Sequence, residues 1–280
     1  MTTTVASGRR TTARMPRHRF AILSIAASGV LVGLAMPGCR TVEGSGRQQL
    51  VLMSVDQERR MGAEAYPEIL AEQGVIATGA QVDRVRRVGA DLAAAASRRF
   101  PQSSAGMDWA FTVVDEPTVN AWALPGGKCG VNLGLLEFVE NDDELAVVIG
   151  HEIAHALASH GAERLSRDAV AGILAELALG EIDPGLRFAI EQAYGVGVSL
   201  PFSRDHEREA DRLGLFLAAE AGYDPRAAVS LWRRMAADGG QGPEWLSTHP
   251  DPGGRADELE RLIPEAEAIR RAAPAPADRP

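Results

Sequence analysis

His151, Glu152 and His155 stand in the middle of one predicted helix whose neighbours are apolar, and this constrains the chain more than any other feature. Asp142 or Asp143 caps that helix and Glu144 adds negative charge to its first turn. The helix is expected to run through Leu145, Val148, Ile149, Ala154 and Leu157 to about His160. Val147, Val148, Ile149 and Ile153 bury it, so two imidazoles and a carboxylate are carried inside with it. Residues four apart lie one above the other, so both imidazoles can reach one metal ion. Zinc accepts neutral imidazole nitrogens and keeps one position open for water in catalytic sites. Glu152, one residue round from His151, is the candidate general base.

The pentapeptide alone also fits two histidines satisfied by hydrogen bonds in a core. A second element decides. Glu207 and Asp211 are four apart on another predicted helix, capped by Ser203 and stopped by Gly222. Glu207 is the candidate third ligand, with Glu209, which points to the far side of the helix, as runner-up. Asp211 can accept a proton from the free ring nitrogen of a ligand histidine. Without the two histidines, this stretch reads as a solvated face paired with Arg204, Arg208 and Arg212. His160, five residues beyond His155 and about 140° off its face, is read as structural, His206 as pointing elsewhere, and His18 lies in the N-terminal segment.

Charge narrows the function. The 280-residue chain carries 29 basic and 38 acidic residues, a formal net charge of −9, and its first 38 residues hold five arginines and no acid. The rest is more acidic still, which excludes nucleic acid as a partner. Lys128, the only lysine, is followed by Cys129, so no P-loop ending is present; Gly195-Val-Gly197 lacks a third glycine. Nucleotide binding is therefore excluded as well.

Arg9 to Arg19 followed by the apolar run Phe20–Met36 reads as a signal segment. Met36-Pro-Gly-Cys39 has the form of a bacterial lipoprotein cleavage box, with Cys39 as the lipidated residue; an uncleaved anchor or plain secretion is the alternative. The division expected is a signal peptide at 1–38, a tether at 39–53, one domain at 54–271 and a disordered tail at 272–280. With Cys39 committed, Cys129 has no intrachain partner, and it reads as a buried strand cysteine rather than a catalytic thiol.

Helical spacing covers Ser54–Gln73, Val82–Phe100, Arg187–Val198, a stretch opened by Asp224-Pro225 and closed by Gly239-Gly240, and Ala256–Arg271. Trp109–Val114 and Lys128–Leu133 read as strands, separated by turns at Pro117 and Pro125-Gly-Gly127. The fold class expected is α+β, mostly α, with a small antiparallel sheet beside the helix of His151 and His155.

In this order the elements resemble the HtpX/BepA/LoiP-like zinc metallopeptidases, whose relatives include the CAAX prenyl proteases. The marks are Asn120-Ala-Trp-Ala-Leu-Pro-Gly-Gly127, His151–His155, Phe202-Ser-Arg-Asp-His-Glu-Arg-Glu-Ala-Asp211, and Ser247-Thr-His-Pro250 with Arg255. Together they span about Ser54 to Leu262. The resemblance implies a gluzincin fold with one zinc per chain on His151, His155 and Glu207, Glu152 as base, and the strand after Gly127 lining the cleft. Trp122, where phenylalanine is usual, and Cys129 depart from the pattern without removing a ligand. His249 resembles a histidine that can approach the zinc, either to stabilise the oxyanion or to latch the open position; a loop histidine with neither role is the third reading. Arg255 either meets a substrate carbonyl or anchors the last helix.

The function expected is a zinc endopeptidase of the bacterial cell envelope, facing the periplasm and lipid-anchored through Cys39. The resemblance makes unfolded or misassembled envelope polypeptides its substrates. The rivals are a chaperone-like protein that holds chains in a latched cleft, and a helical domain with structural zinc or none.

Overall fold

A computed structural model describes residues 38–179, 202–237, 245–249 and 252–274. The signal segment up to residue 37, the helix expected over Arg187–Val198, Gly239-Gly240 and the tail from residue 275 lie outside the described residues.

The chain opens with a hairpin, β1 (Cys39–Thr41) against β2 (Gln48–Leu50), with Cys39 opposite Leu50. The segment expected to be a tether is therefore folded. Gly44 and Gly46 take φ of 90° and 76°, which makes a tight turn rather than slack chain. Val42 and Val51 are buried, and Glu43 accepts from the N–H groups of Gln102 and Ser103 at 3.1 and 2.8 Å. Charge pairing through Arg47 completes the docking: its guanidinium reaches Glu163 and Glu209, each at 2.8 Å.

Next come α1 (Val55–Gln73), β3 (Val75–Ile76), α2 (Ala80–Arg99) and α3 (Pro101–Ser104). Ser54 and Gln57 form a reciprocal capping box at the start of α1. Then follow β4 (Ala110–Val114), β5 (Ala121–Leu124), β6 (Lys128–Asn132) and α4 (Leu133–Phe138). The α+β, mostly helical class is the one expected, and the small sheet lies beside the expected helix. It is a mixed sheet rather than an antiparallel one. The strand order is β3-β4-β6-β5, with β4 and β6 parallel and the outer pairs antiparallel. The cause is β5, which periodicity did not single out. It occupies the far side, and the turn at Gly126 and Gly127 (φ 89° and 93°) returns β6 between β5 and β4. Side chains alternate as a sheet with two covered faces requires. Val113, Ala121, Cys129 and Val131 join the main core, while Val114, Trp122 and Leu124 pack with Tyr66, Ile69 and Leu70 of α1.

The remaining described elements are α5 (Asp142–Leu157), α6 (His160–Leu179), α7 (Arg204–Glu220), α8 (Arg226–Ala237), α9 (Trp245–Thr248) and α10 (Pro252–Ala272). Among the described residues no helix is long and apolar enough to cross a membrane. Every residue of α5 from Glu144 to Leu157 is buried. Asn141, not Asp142 or Asp143, caps it, accepting from the N–H of Glu144 at 2.9 Å. Asp142 is instead held at 2.6 Å by both Arg84 and Arg87 of α2. Ser203 caps α7 by accepting from the N–H of His206. A Cβ built on Gly214 of α7 would lie 2.7 Å from the backbone nitrogen of His151, so the helices meet backbone to backbone beside the first candidate ligand.

Candidate metal centre

Because α5 and α7 touch at this level, His151 and His155 face Glu207 across the contact. The Nε2 atoms of the two histidines are 3.0 Å apart. Glu207 places Oε1 3.4 Å from His155 Nε2 and Oε2 3.5 Å from His151 Nε2. The chain after α9 brings His249 Nδ1 to 3.2 Å from His151 Nε2 and 3.0 Å from Glu207 Oε1. One ligand atom from each of the four buried residues lies within 4.8 Å of the others.

These residues fit a divalent metal ion on two counts. A tetrahedron of two-ångström bonds to nitrogen and oxygen has edges of about 3.3 Å, close to the spacings between these donor atoms. Glu152, Glu207 and Asp211 are buried together, and the one arginine buried among the described residues, Arg255, pairs with only Glu207 and Asp211, a shortage of positive charge that a divalent ion offsets. The same field acts on His151. Burial opposes charge on its ring, but hydrogen bonds to Asp211 and Glu207 outweigh burial and carry its pKa up to about 9. Glu207 shows the converse. Burial raises it, but the His151, His155 and His249 rings around it hold it far below the carboxylate range.

Glu152 lies beside the donor set and outside it. Its Oε1 accepts from Trp245 Nε1 at 2.8 Å and stands 3.3 Å from His249 Nε2. Asp211 has Oδ1 3.1 Å from His151 Nδ1. Arg255, which sequence reasoning left between two roles, clamps this carboxylate through Nε and Nη2 at 2.6 and 2.5 Å. It also reaches Glu207 Oε2 at 2.9 Å, and its guanidinium carbon lies over Trp232, 3.6 Å from the ring centre. Burial raises Asp211, and the adjacent Arg255 outweighs that to hold it below the usual range.

Glu209, the runner-up ligand, faces away from the donor set. It is bound by His160 Nε2 and Arg47 Nε, both at 2.8 Å, and by Ser45. A position about 140° off the face of His155 holds for His160 only if α5 continues through it. The helix ends at Leu157, Ser159 takes φ 54°, and α6 begins at His160, which turns that ring back under His155. The two Nδ1 atoms are 2.9 Å apart. His206 bonds Glu163 at 3.0 Å and stacks on His160. Sequence reasoning therefore missed Trp245, His160 and Arg47. Only His160 left a signal, as a third histidine close to the pentapeptide.

Cys129 stands within the core on β6, and burial pushes its thiol pKa far up, Glu152 adding to the effect. The thiol stays protonated and shielded. Iodoacetamide at pH 8 is therefore expected to leave Cys129 unmodified in the folded chain and to alkylate it in urea, as read by peptide mass. Rapid native alkylation would contradict that burial.

An apolar cavity lined by Met61, Ala65, Leu124, Leu165 and Phe202 opens against His155. The edge of β5 reaches it through Ala123 and Leu124.

Comparison with known proteins adds to this geometry. The model of peptidase family M48 matches residues 80–263. The mitochondrial metalloendopeptidase OMA1 of Schizosaccharomyces pombe is 36% identical over 234 residues, covering 81% of this chain and 67% of that protein. Human OMA1 is 34% identical over 243 residues, 81% of this chain and 46% of that protein. The beta-barrel assembly-enhancing protease of Yersinia pestis is 28% identical over 215 residues, 72% of this chain and 43% of that protein. This chain thus spans about half the length of the human and bacterial relatives.

Proposed function

From its membership of peptidase family M48, which makes the chain a metalloendopeptidase, we propose that it holds one zinc ion on His151, His155 and Glu207 and uses Glu152 as its general base. The observation that carries this reading is the convergence of those three side chains on one point, with the Glu152 carboxylate beside it. Zinc, when bound, supplies a Lewis acid that lowers the pKa of water to about 7 and polarises the scissile carbonyl.

The rest of the chemistry belongs to the chain. Glu152, steadied by the Trp245 indole, takes the proton of the attacking water and passes it to the leaving amine. Asp211 accepts from His151 Nδ1, which leaves Nε2 as the donor atom. The β5 edge offers main-chain groups to an extended substrate, and the cavity beside His155 takes an apolar side chain next to the scissile bond.

The substrates proposed are unfolded or misassembled polypeptides of the bacterial cell envelope, with the enzyme facing the periplasm and tied to a membrane by lipid on Cys39. The arginine-rich start, the apolar run and Gly38-Cys39 support this, as does the printed name of the Yersinia pestis relative. The two OMA1 relatives are mitochondrial in name, so the envelope role rests on the N-terminal segment of this chain. Palmitate labelling tests the anchor. The wild type is expected to incorporate label and sediment with membranes, and Cys39→Ser to lose both. Label retained in the variant would place the lipid elsewhere.

A second reading, a latched and rarely active holder of chains, is favoured by one contact: His249 Nδ1 sits among the donor atoms, where water or substrate would enter. His249→Ala is expected to raise casein cleavage several-fold by freeing that position. A fall would instead assign His249 to the oxyanion.

A further inference from the structure

The two candidate histidine ligands are oriented in different ways. His151 meets a carboxylate directly, whereas His155 meets a second imidazole, and that imidazole meets a carboxylate. We propose that Glu209 and His160 are positioning residues that fix the ring tautomer of His155, so that its Nε2 presents a lone pair to the metal. The inference rests on the reading of His155 as a ligand.

Proton counting along the chain of contacts carries it. An ionised carboxylate accepts and does not donate. Glu209 is already bound by Ser45 and Arg47, and His160 Nε2 stands 2.8 Å from its Oε2. Nε2 of His160 therefore carries the hydrogen. A neutral imidazole has one N–H, so Nδ1 of His160 is a bare acceptor. The single hydrogen in the 2.9 Å gap between the two Nδ1 atoms then belongs to His155. With its N–H at Nδ1, His155 has a bare Nε2, the atom 3.0 Å from His151 Nε2 and 3.4 Å from Glu207. Both rings are almost fully buried, and an unsolvated interior disfavours a charged ring at either place.

The relay also reaches the N-terminal hairpin. Arg47, in the turn between β1 and β2, holds Glu209 at 2.8 Å and Glu163 at the same distance. Glu163 in turn bonds His206, whose ring lies 4.4 Å from that of His160 and nearly parallel to it. The hairpin is thus part of the framework that orients a ligand.

The test uses the full chain and reads zinc affinity and ring nitrogens, not activity. Zinc dissociation constants come from competition with a chromophoric chelator. Wild type is measured first, and failure to bind zinc there would remove the metal site itself, apart from this inference. With wild-type binding in hand, His160→Phe, which keeps the ring stack, is expected to weaken zinc 10- to 100-fold. His160→Asn, whose amide oxygen can take the Nδ1 acceptor place, is expected to recover most of that loss. Long-range nitrogen–proton NMR of the metal-free wild type is expected to show His155 as the Nδ1–H tautomer and His160 as the Nε2–H tautomer. Unchanged zinc affinity in His160→Phe, or a His160 ring protonated at Nδ1, would overturn the proposal.

Discussion

A Glu152→Gln chain is expected to bind zinc as tightly as wild type and to cleave casein about 10²- to 10⁴-fold more slowly, the range for losing a general base. The two properties separate because Glu152 is outside the donor set, while its Oε1 faces Trp245 and His249. An amide oxygen still accepts from the Trp245 indole, so the substitution removes proton transfer and keeps the local packing. Glu207→Gln provides the contrast. It takes a charged oxygen out of the donor set and leaves Arg255 short of a partner, so zinc and activity fall together. Substantial cleavage by Glu152→Gln would assign the base to another group. Casein binding with no cleavage in the wild type would favour the chain-holding reading.

The second large effect is structural. Gly214→Ala is expected to destabilise the domain by about 3 kcal/mol, the upper end of the overpacking range, and to reduce zinc retention. The new Cβ would lie 2.7 Å from His151 N and 2.8 Å from its Cα, atoms that side-chain adjustment cannot move. Separating α5 from α7 at that level draws His151 and His155 away from Glu207. Gly161→Ala is the control, because a Cβ there meets nothing within 4 Å. Alanine at that helical position is expected to be neutral or to stabilise by up to about 1 kcal/mol. Urea unfolding of the three chains, with their zinc content, measures both effects.

Sequence and structure agree where a single helix decides the outcome. The spacing of His151 and His155, the four-residue step from Glu207 to Asp211, and the Ser203 cap depend on helix geometry alone, and each leads to the contacts observed. Agreement lapses where the chain leaves a helix. A continuous helix would put His160 about 140° off the face of His155, and one residue at positive φ, Ser159, brings its ring against that of His155 instead. β5 has four residues and too little alternation to stand out, yet it decides that the sheet is mixed. Gly44 and Gly46 read as slack in a tether and are a tight turn, because Arg47 beyond them has two buried carboxylates to reach. Trp245 and Arg255 needed the tertiary fold: nothing local in their surroundings places an indole on Glu152 or a guanidinium between Asp211 and Glu207.

A zinc peptidase centre at this cluster, as proposed, ties metal content to cleavage. Its most direct test is metal analysis of the purified chain paired with casein cleavage before chelation, after chelation and after zinc is restored. One zinc per chain is expected, with cleavage lost when the metal is removed and regained when it is restored. A chain that carries no zinc, or one that cuts equally well without it, would rule out a zinc peptidase centre here.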